Sequence, residues 1–205
     1  MKSMYIGSGD IGSLMSALNS KTYAKLLQRF VSDEIPYYNA KASPIDALRT
    51  GAILEERYAV ILPEGFYSQV RSTSKEMNVF KCSLDFAKLE AGKIVDFEEL
   101  KTCSFNDFID LEPFRQNPDD GVSFIKKKYK KYYQQIQQQL FCTELESAVM
   151  TFLVVYSYDD EENYTRDIQQ NEFIKFRIKR DEDVIAQIKQ RGQVFQLLKE
   201  YHSQK

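Results

Sequence analysis

Two carboxylates and an ammonium stand at a spacing that could act on a phosphodiester. They are Asp85, Glu99 and Lys101, within KCSLDFAKLEAGKIVDFEELKT, residues 81–102. Alternation along an extended 93–101 segment puts Val95, Phe97, Glu99 and Lys101 on one face, and Ile94, Asp96, Glu98 and Leu100 on the other. Asp85, near the end of the preceding extended run, reaches the same place across a hairpin. A magnesium ion takes hard oxygen ligands and keeps several waters, so two carboxylates and a backbone carbonyl suffice to seat one. Such an ion lowers the pKa of a bound water and offsets charge growing on a phosphate. A lysine beside it orients the attacking water or stabilises that charge. Charged hairpins also carry a D…ExK spacing by chance, so the pattern needs support from elsewhere in the chain.

Two other segments supply it. In the helical pattern of SPIDALRTGAILEERYAVIL, Glu55 interrupts an apolar stripe formed by Leu48, Ala52 and Ala59. A carboxylate there is costly unless paired, neutralised or bound to a metal. Glu56 lies only ~100° further round the helix, so periodicity leaves the choice between the two open. A pairing of Glu55 with Arg57 or Arg49 at the helix edge is the plainer alternative. The second segment is KKKYKKYYQQIQQQL, which places five lysines in positions 126–131. Lys126, Lys127, Lys130 and Gln137 could contact phosphates and nucleotides through charge and amide hydrogen bonds. A solvated, charged helix face is the alternative for them.

Composition narrows the chemistry further. The only histidine is His202, near the end of the chain; a Ser-His-Asp triad or a multi-histidine metal site would have to use it, which argues against both. Cys82, Cys103 and Cys142 form no CxxC pair, so they read as small reduced hydrophobes. A net charge of −2 argues against binding a polyanion over the whole surface, but the charge is segregated, with lysines at 126–131 and acid in NPDD and YDDEEN. No run approaches the ~20 apolar residues of a membrane span, and the start, MKSMYIGSGDIG, does not read as a secretory signal. A cytoplasmic site of action is the expectation, in the host cell if the protein is viral.

The elements that must position these residues follow from period and punctuation. A helical pattern runs from Asp10 to about Phe30 with a break at Asn19-Ser20, where Ser20 caps a second helix. Ser43 and Pro44 start a helix reaching about Val60. Strand character marks Gly65 to Arg71, Val79 to Phe86 and Lys93 to Lys101, the last two joined by AKLEAG as a hairpin. One long helix is expected from about Gly121 to Cys142, with a buried stripe of Ile125, Tyr129, Tyr132, Ile136 and Leu140. Residues 148–157 read as a strand covered on both faces, 172–179 as a half-exposed strand, and Asp183 to Tyr201 as a last helix. The chain is thus one domain over 1–205, a mixed central sheet flanked by helices.

In this order the segments resemble the lambda-exonuclease family, the YqaJ-like viral recombinases among PD-(D/E)xK nucleases. YIGSGDIGSLMSAL is similar to that family's Gly-Ser-Asp/Glu-Ile helix start. GAILEERY resembles its Gly-x-x-x-Glu helix, which places the first acidic residue on Glu55. SLD, with Ser83 and Asp85, resembles its Ser-Pro-Asp, Leu84 replacing the proline. ELK supplies Glu99 and Lys101, the carbonyl of Leu100 being the implied third metal ligand. YYQQIQQQL resembles its Tyr-x-Gln-x-Gln helix and places the functional glutamine on Gln135.

The resemblance implies a restriction-endonuclease-like α/β fold and processive 5′→3′ digestion of duplex DNA. It also implies Mg2+ as cofactor, with Mn2+ as a substitute, a homotrimeric ring around DNA, and a single-strand-annealing recombinase as partner. Catalytic roles fall to Glu55, Asp85, Glu99 and Lys101, and a 5′-phosphate pocket to Ser8, Ser83 and Gln135. One departure stands out: the family's phosphate-binding arginine precedes the Ser-Asp/Glu step, and only Lys2 lies upstream here. The alternatives are a Cas4-like or RecB-like single-strand nuclease, which commonly carries a four-cysteine cluster, and a non-catalytic DNA-binding or assembly module of the same fold.

Overall fold

The computed structural model describes residues 4–32 and 45–204; the expected helix start at Ser43 and Pro44 lies outside them. Five strands, β1 (Phe66–Thr73), β2 (Lys81–Glu90), β3 (Lys93–Ser104), β4 (Ser147–Val155) and β5 (Phe173–Lys179), lie side by side in chain order. All neighbours are antiparallel except β3 and β4, which run parallel. A parallel pair needs a crossover. Here α4 (Phe105–Leu111), α5 (Pro118–Lys128) and α6 (Lys130–Thr143) supply it, and this brings the glutamine-rich helix over the sheet.

The remaining helices are α1 (Ile11–Leu14), α2 (Lys21–Val31), α3 (Ile45–Ala59), α7 (Asp160–Thr165) and α8 (Glu182–Ser203). As the sequence predicts, Ser20 caps α2, its hydroxyl accepting from the Tyr23 amide at 3.1 Å. On one sheet face Phe97, Met150, Phe152 and Phe176 pack with Ile125, Ile136, Leu140, Ile188 and Phe195 of α5, α6 and α8. On the other, Phe86, Leu100, Leu153 and Val155 pack with Leu54 and Tyr58 of α3. The near-continuous apolar run of β4 follows from being covered on both sides.

Three expectations are corrected. The hairpin turn is only Ala91-Gly92, both at positive φ (50° and 75°), so AKLE belongs to β2 rather than to a loop. The single helix over 121–142 is two helices, broken at Tyr129 (φ −109°, ψ 41°). There the Tyr129 ring packs on Phe152, centroids 4.9 Å apart, and lies parallel to Tyr132, so tertiary packing overrides an unbroken hydrophobic period. Helix α4 was not expected, although Ser104 accepting from the Asp107 amide at 3.2 Å is a start signal of the usual kind.

Candidate active site

β2 and β3 pair from Glu90↔Lys93 to Phe86↔Glu98 and no further, while β3 continues against β4 from Glu98 to Ser104. Asp85 is the first residue past that parting, and its Oδ2 accepts from the Leu100 amide at 2.9 Å. Opposite it stands Glu99, only 1% exposed. A carboxylate so buried is tolerable only when well supplied with donors. Lys101 Nζ donates to its Oε1 at 2.6 Å, Gln135 Nε2 to the same oxygen at 2.5 Å, and Gln139 Nε2 to Oε2 at 2.6 Å. The Lys101 ammonium also lies 5.2 Å from the centre of the Tyr132 ring. Asp85, Glu99 and Lys101 are thus brought together by the opening of the hairpin.

Glu55 and Glu56 differ in their surroundings. Glu56 is exposed, whereas Glu55 is half-buried and accepts from Gln69 Nε2 at 2.6 Å. Arg57 is engaged elsewhere, with Asp167 at 2.8 Å. Gln69 Oε1 accepts in turn from Ser83 Oγ at 2.8 Å, so a chain of side chains ties α3, β1 and β2 together. Gln69 has φ of 56°, a strained value for a side-chain-bearing residue, and it is skipped by the otherwise continuous β1–β2 ladder opposite Asp85. On the other face of β3, the buried Glu98 accepts from Tyr58 Oη at 2.5 Å, from Thr151 Oγ1, and from Lys175 Nζ at 3.0 Å. Tyr58 is one turn from Glu55, so this second carboxylate fixes how α3 presents Glu55 to the site. Its role was hidden in the sequence, where Glu98 and Glu99 look alike.

The electrostatics of the site are those of crowded carboxylates. Burial, then the charge of Glu99, holds the Asp85 carboxyl well above the usual carboxylate range. Burial raises Glu55 too, the Gln69 bond opposing it and Glu99 adding to it. For Lys101 burial pulls downward, but Glu99 and Asp85 more than offset it, so the lysine remains an ammonium. Three carboxylates against one ammonium leave an excess of negative charge. Among the described residues no three acidic, histidine or cysteine side chains form a closed metal cage. The donor set fits Mg2+ nonetheless, because that ion typically takes one or two carboxylates and fills the rest with water and substrate phosphate.

A cavity of about 600 Å3 beside this centre is lined by Ser8 and Ser83, together with Arg71 and Lys81. Arg71 faces Ser83 directly in the β1–β2 register. Gln135 does not line that cavity; it sits on Glu99. Gln137 corrects the expectation of a DNA contact, since it is fully buried and its amide joins the Lys179 carbonyl (2.9 Å) and the Asp181 amide (2.8 Å). The lysines do not form one face either. Lys126 pairs with Asp181 at 2.7 Å, Lys127 is exposed on the end of α5, and Lys130 opens α6. Gln139 was missed, although one helical turn beyond Gln135 puts it on the same face.

No protein-family model matches the sequence, and no curated protein does. Solved structures do match. An alkaline exonuclease (LHK-Exo) from Laribacter hongkongensis superimposes with a TM-score of 0.64 at 17% identity, covering 99% of this chain and 90% of that one. Its complex with dAMP gives 0.59 at 18%, with the same coverage. A phage-related exonuclease from Haemophilus somnus 129PT gives 0.59 at 15%, covering 94% of this chain and 92% of its own. At such identities the likeness concerns the backbone, and the chain therefore has the restriction-endonuclease-like α/β fold of these exonucleases.

Proposed function

We propose that the protein is a Mg2+-dependent exodeoxyribonuclease that degrades linear duplex DNA, 5′→3′ and processively, in phage-type recombination. The observation that carries this reading is the meeting of Asp85 and Glu99 where β2 and β3 part, with the Lys101 ammonium 2.6 Å from Glu99. Asp85, Glu99 and the Leu100 carbonyl would hold the ion, with Glu55 beside them and Mn2+ as a substitute. When bound, the ion supplies an acidified water and neutralises phosphate charge. Lys101, kept charged by its two carboxylate neighbours, steadies the developing negative charge. Ser8, Ser83, Arg71 and Lys81 offer hydroxyls and cations to a terminal 5′-phosphate, which would set the next phosphodiester at the metal and give cleavage its direction. The exonuclease fold and the dAMP complex of a structural neighbour support a deoxynucleotide substrate. A homotrimeric ring and a single-strand-annealing recombinase as partner belong to the same proposal.

The test is incubation with Mg2+ and linear duplexes labelled at the 5′ or 3′ end, beside a closed circle, with 5′-phosphate and 5′-hydroxyl versions compared. Early release of the 5′ label from phosphorylated ends, an intact circle and no reaction in chelator are expected. Cleavage of the circle, or full activity in chelator, would overturn the reading.

A further inference from the structure

A second cavity, of about 780 Å3, has no part in the reading above. It is lined by Lys128, Lys130, Lys131, Tyr129, Tyr132 and Tyr158, and Thr102, next in chain to Lys101, also borders it. Three features distinguish it from an ordinary polar surface. Among the described residues neither Lys130 nor Lys131 has an acidic partner, whereas Lys128 is held by Asp107 at 3.0 Å and Asp110 at 2.6 Å. Tyr158 is 57% exposed and Tyr132 36%, so aromatic area faces solvent beside those free charges. Tyr129 and Tyr132 lie parallel, centroids 6.1 Å apart at 8°, and Phe152 lies 6.5 Å from Tyr132, so the Tyr132 ring is backed by other rings.

We propose that this groove binds a single-stranded deoxyribonucleotide segment running to or from the catalytic centre. Bases would stack on Tyr158 and Tyr132, and phosphates would meet Lys130 and Lys131. Unpaired lysines alone would serve any polyanion, but an aromatic face is useful only to a base that is not already stacked in a duplex. Tyr132 links the groove to the chemistry, since the same ring carries the Lys101 ammonium 5.2 Å from its centre. The proposal rests on the nuclease reading for its substrate class, yet its test needs no catalysis.

Binding of fluorescein-labelled oligodeoxythymidine and of a labelled blunt duplex is measured by anisotropy, on the full chain in chelator. Tyr158→Ala should weaken the single strand by roughly 5- to 150-fold, the range for loss of one stacked base. Tyr158→Phe should keep the affinity, because the ring rather than the hydroxyl is used. Lys130→Gln/Lys131→Gln should flatten the salt dependence for single strands by about 0.7 log units per lost phosphate contact. An unchanged affinity in Tyr158→Ala, or an equal loss for duplex and single strand, would overturn the groove. Failure of the nuclease reading shows separately, as absence of Mg2+-dependent cleavage by the unmodified protein.

Discussion

Replacing Gln139 by leucine separates the stability of the site from its function. The Gln139 amide is wholly buried and donates twice, to Glu99 Oε2 at 2.6 Å and to the Ser83 carbonyl at 3.2 Å. The first bond is charge-assisted and contributes about 1.5–3 kcal/mol, the second about 0.5–1.5 kcal/mol. Its own Oε1, however, is buried without a partner, a penalty of about 1–3 kcal/mol that leucine removes. The opposing terms leave a net cost of about 1–2 kcal/mol, a fall in Tm of roughly 2–8 °C for a chain of this size. Function should suffer more. Glu99 loses the donor that fixes one of its oxygens, and loss of such an outer partner commonly costs about 10- to 100-fold in metal affinity. Calorimetric titration with Mn2+ measures that affinity, and thermal unfolding in chelator measures the stability. Ile136→Val, a small core truncation on the same helix costing about 0.5–1.5 kcal/mol, is the control with a similar Tm change and no loss of affinity. If Gln139→Leu binds Mn2+ within twofold of the unmodified protein, Gln139 only fills space and the reasoning fails.

Three further outcomes are expected. Because burial and Glu99 raise Asp85 above its unfolded value of about 3.9, the protein without metal is most stable while that carboxyl is protonated. That stability is fully present below the unfolded pKa and is lost as pH rises through the folded one. Asp85→Asn should therefore flatten the fall in Tm with rising pH in chelator while abolishing cleavage, and an identical pH profile in the two proteins would contradict the raised pKa. Lys101→Ala should lower the cleavage rate by orders of magnitude and leave Mn2+ affinity nearly intact in the same titration; a change in KM alone would assign it to DNA binding. Gly192→Ala should destabilise by about 1–3 kcal/mol despite alanine's better helix propensity. The added Cβ would lie 2.2 Å from Phe80 Cζ. A higher Tm by calorimetry would show that Phe80 yields.

Much of the candidate site's geometry was legible in the sequence because its signals are local. Alternation over a few residues places Glu99 and Lys101 together, and a hairpin joins them to Asp85 whatever surrounds it. The apolar run of β4 and the cap at Ser20 are of the same kind, and so is the mixed α/β architecture they imply. What the sequence left open or mistaken depended on which element lies against which. Periodicity separates Glu55 from Glu56 by only ~100°, and it is the placing of α3 against β1 that gives Glu55 the Gln69 amide and leaves Glu56 to solvent. Arg71 meets Ser83 only through the β1–β2 register, which no local pattern in the sequence indicates. Gln137 and Gln139 look like solvated glutamines until α6 is laid across the sheet, where one meets the Lys179 carbonyl and the other Glu99. Periodicity fixes which side chains share a face, because it is set by backbone geometry alone. The partner each face meets is decided by long-range packing and strand register, which distribute buried polar groups so that nearly every one finds a donor or acceptor.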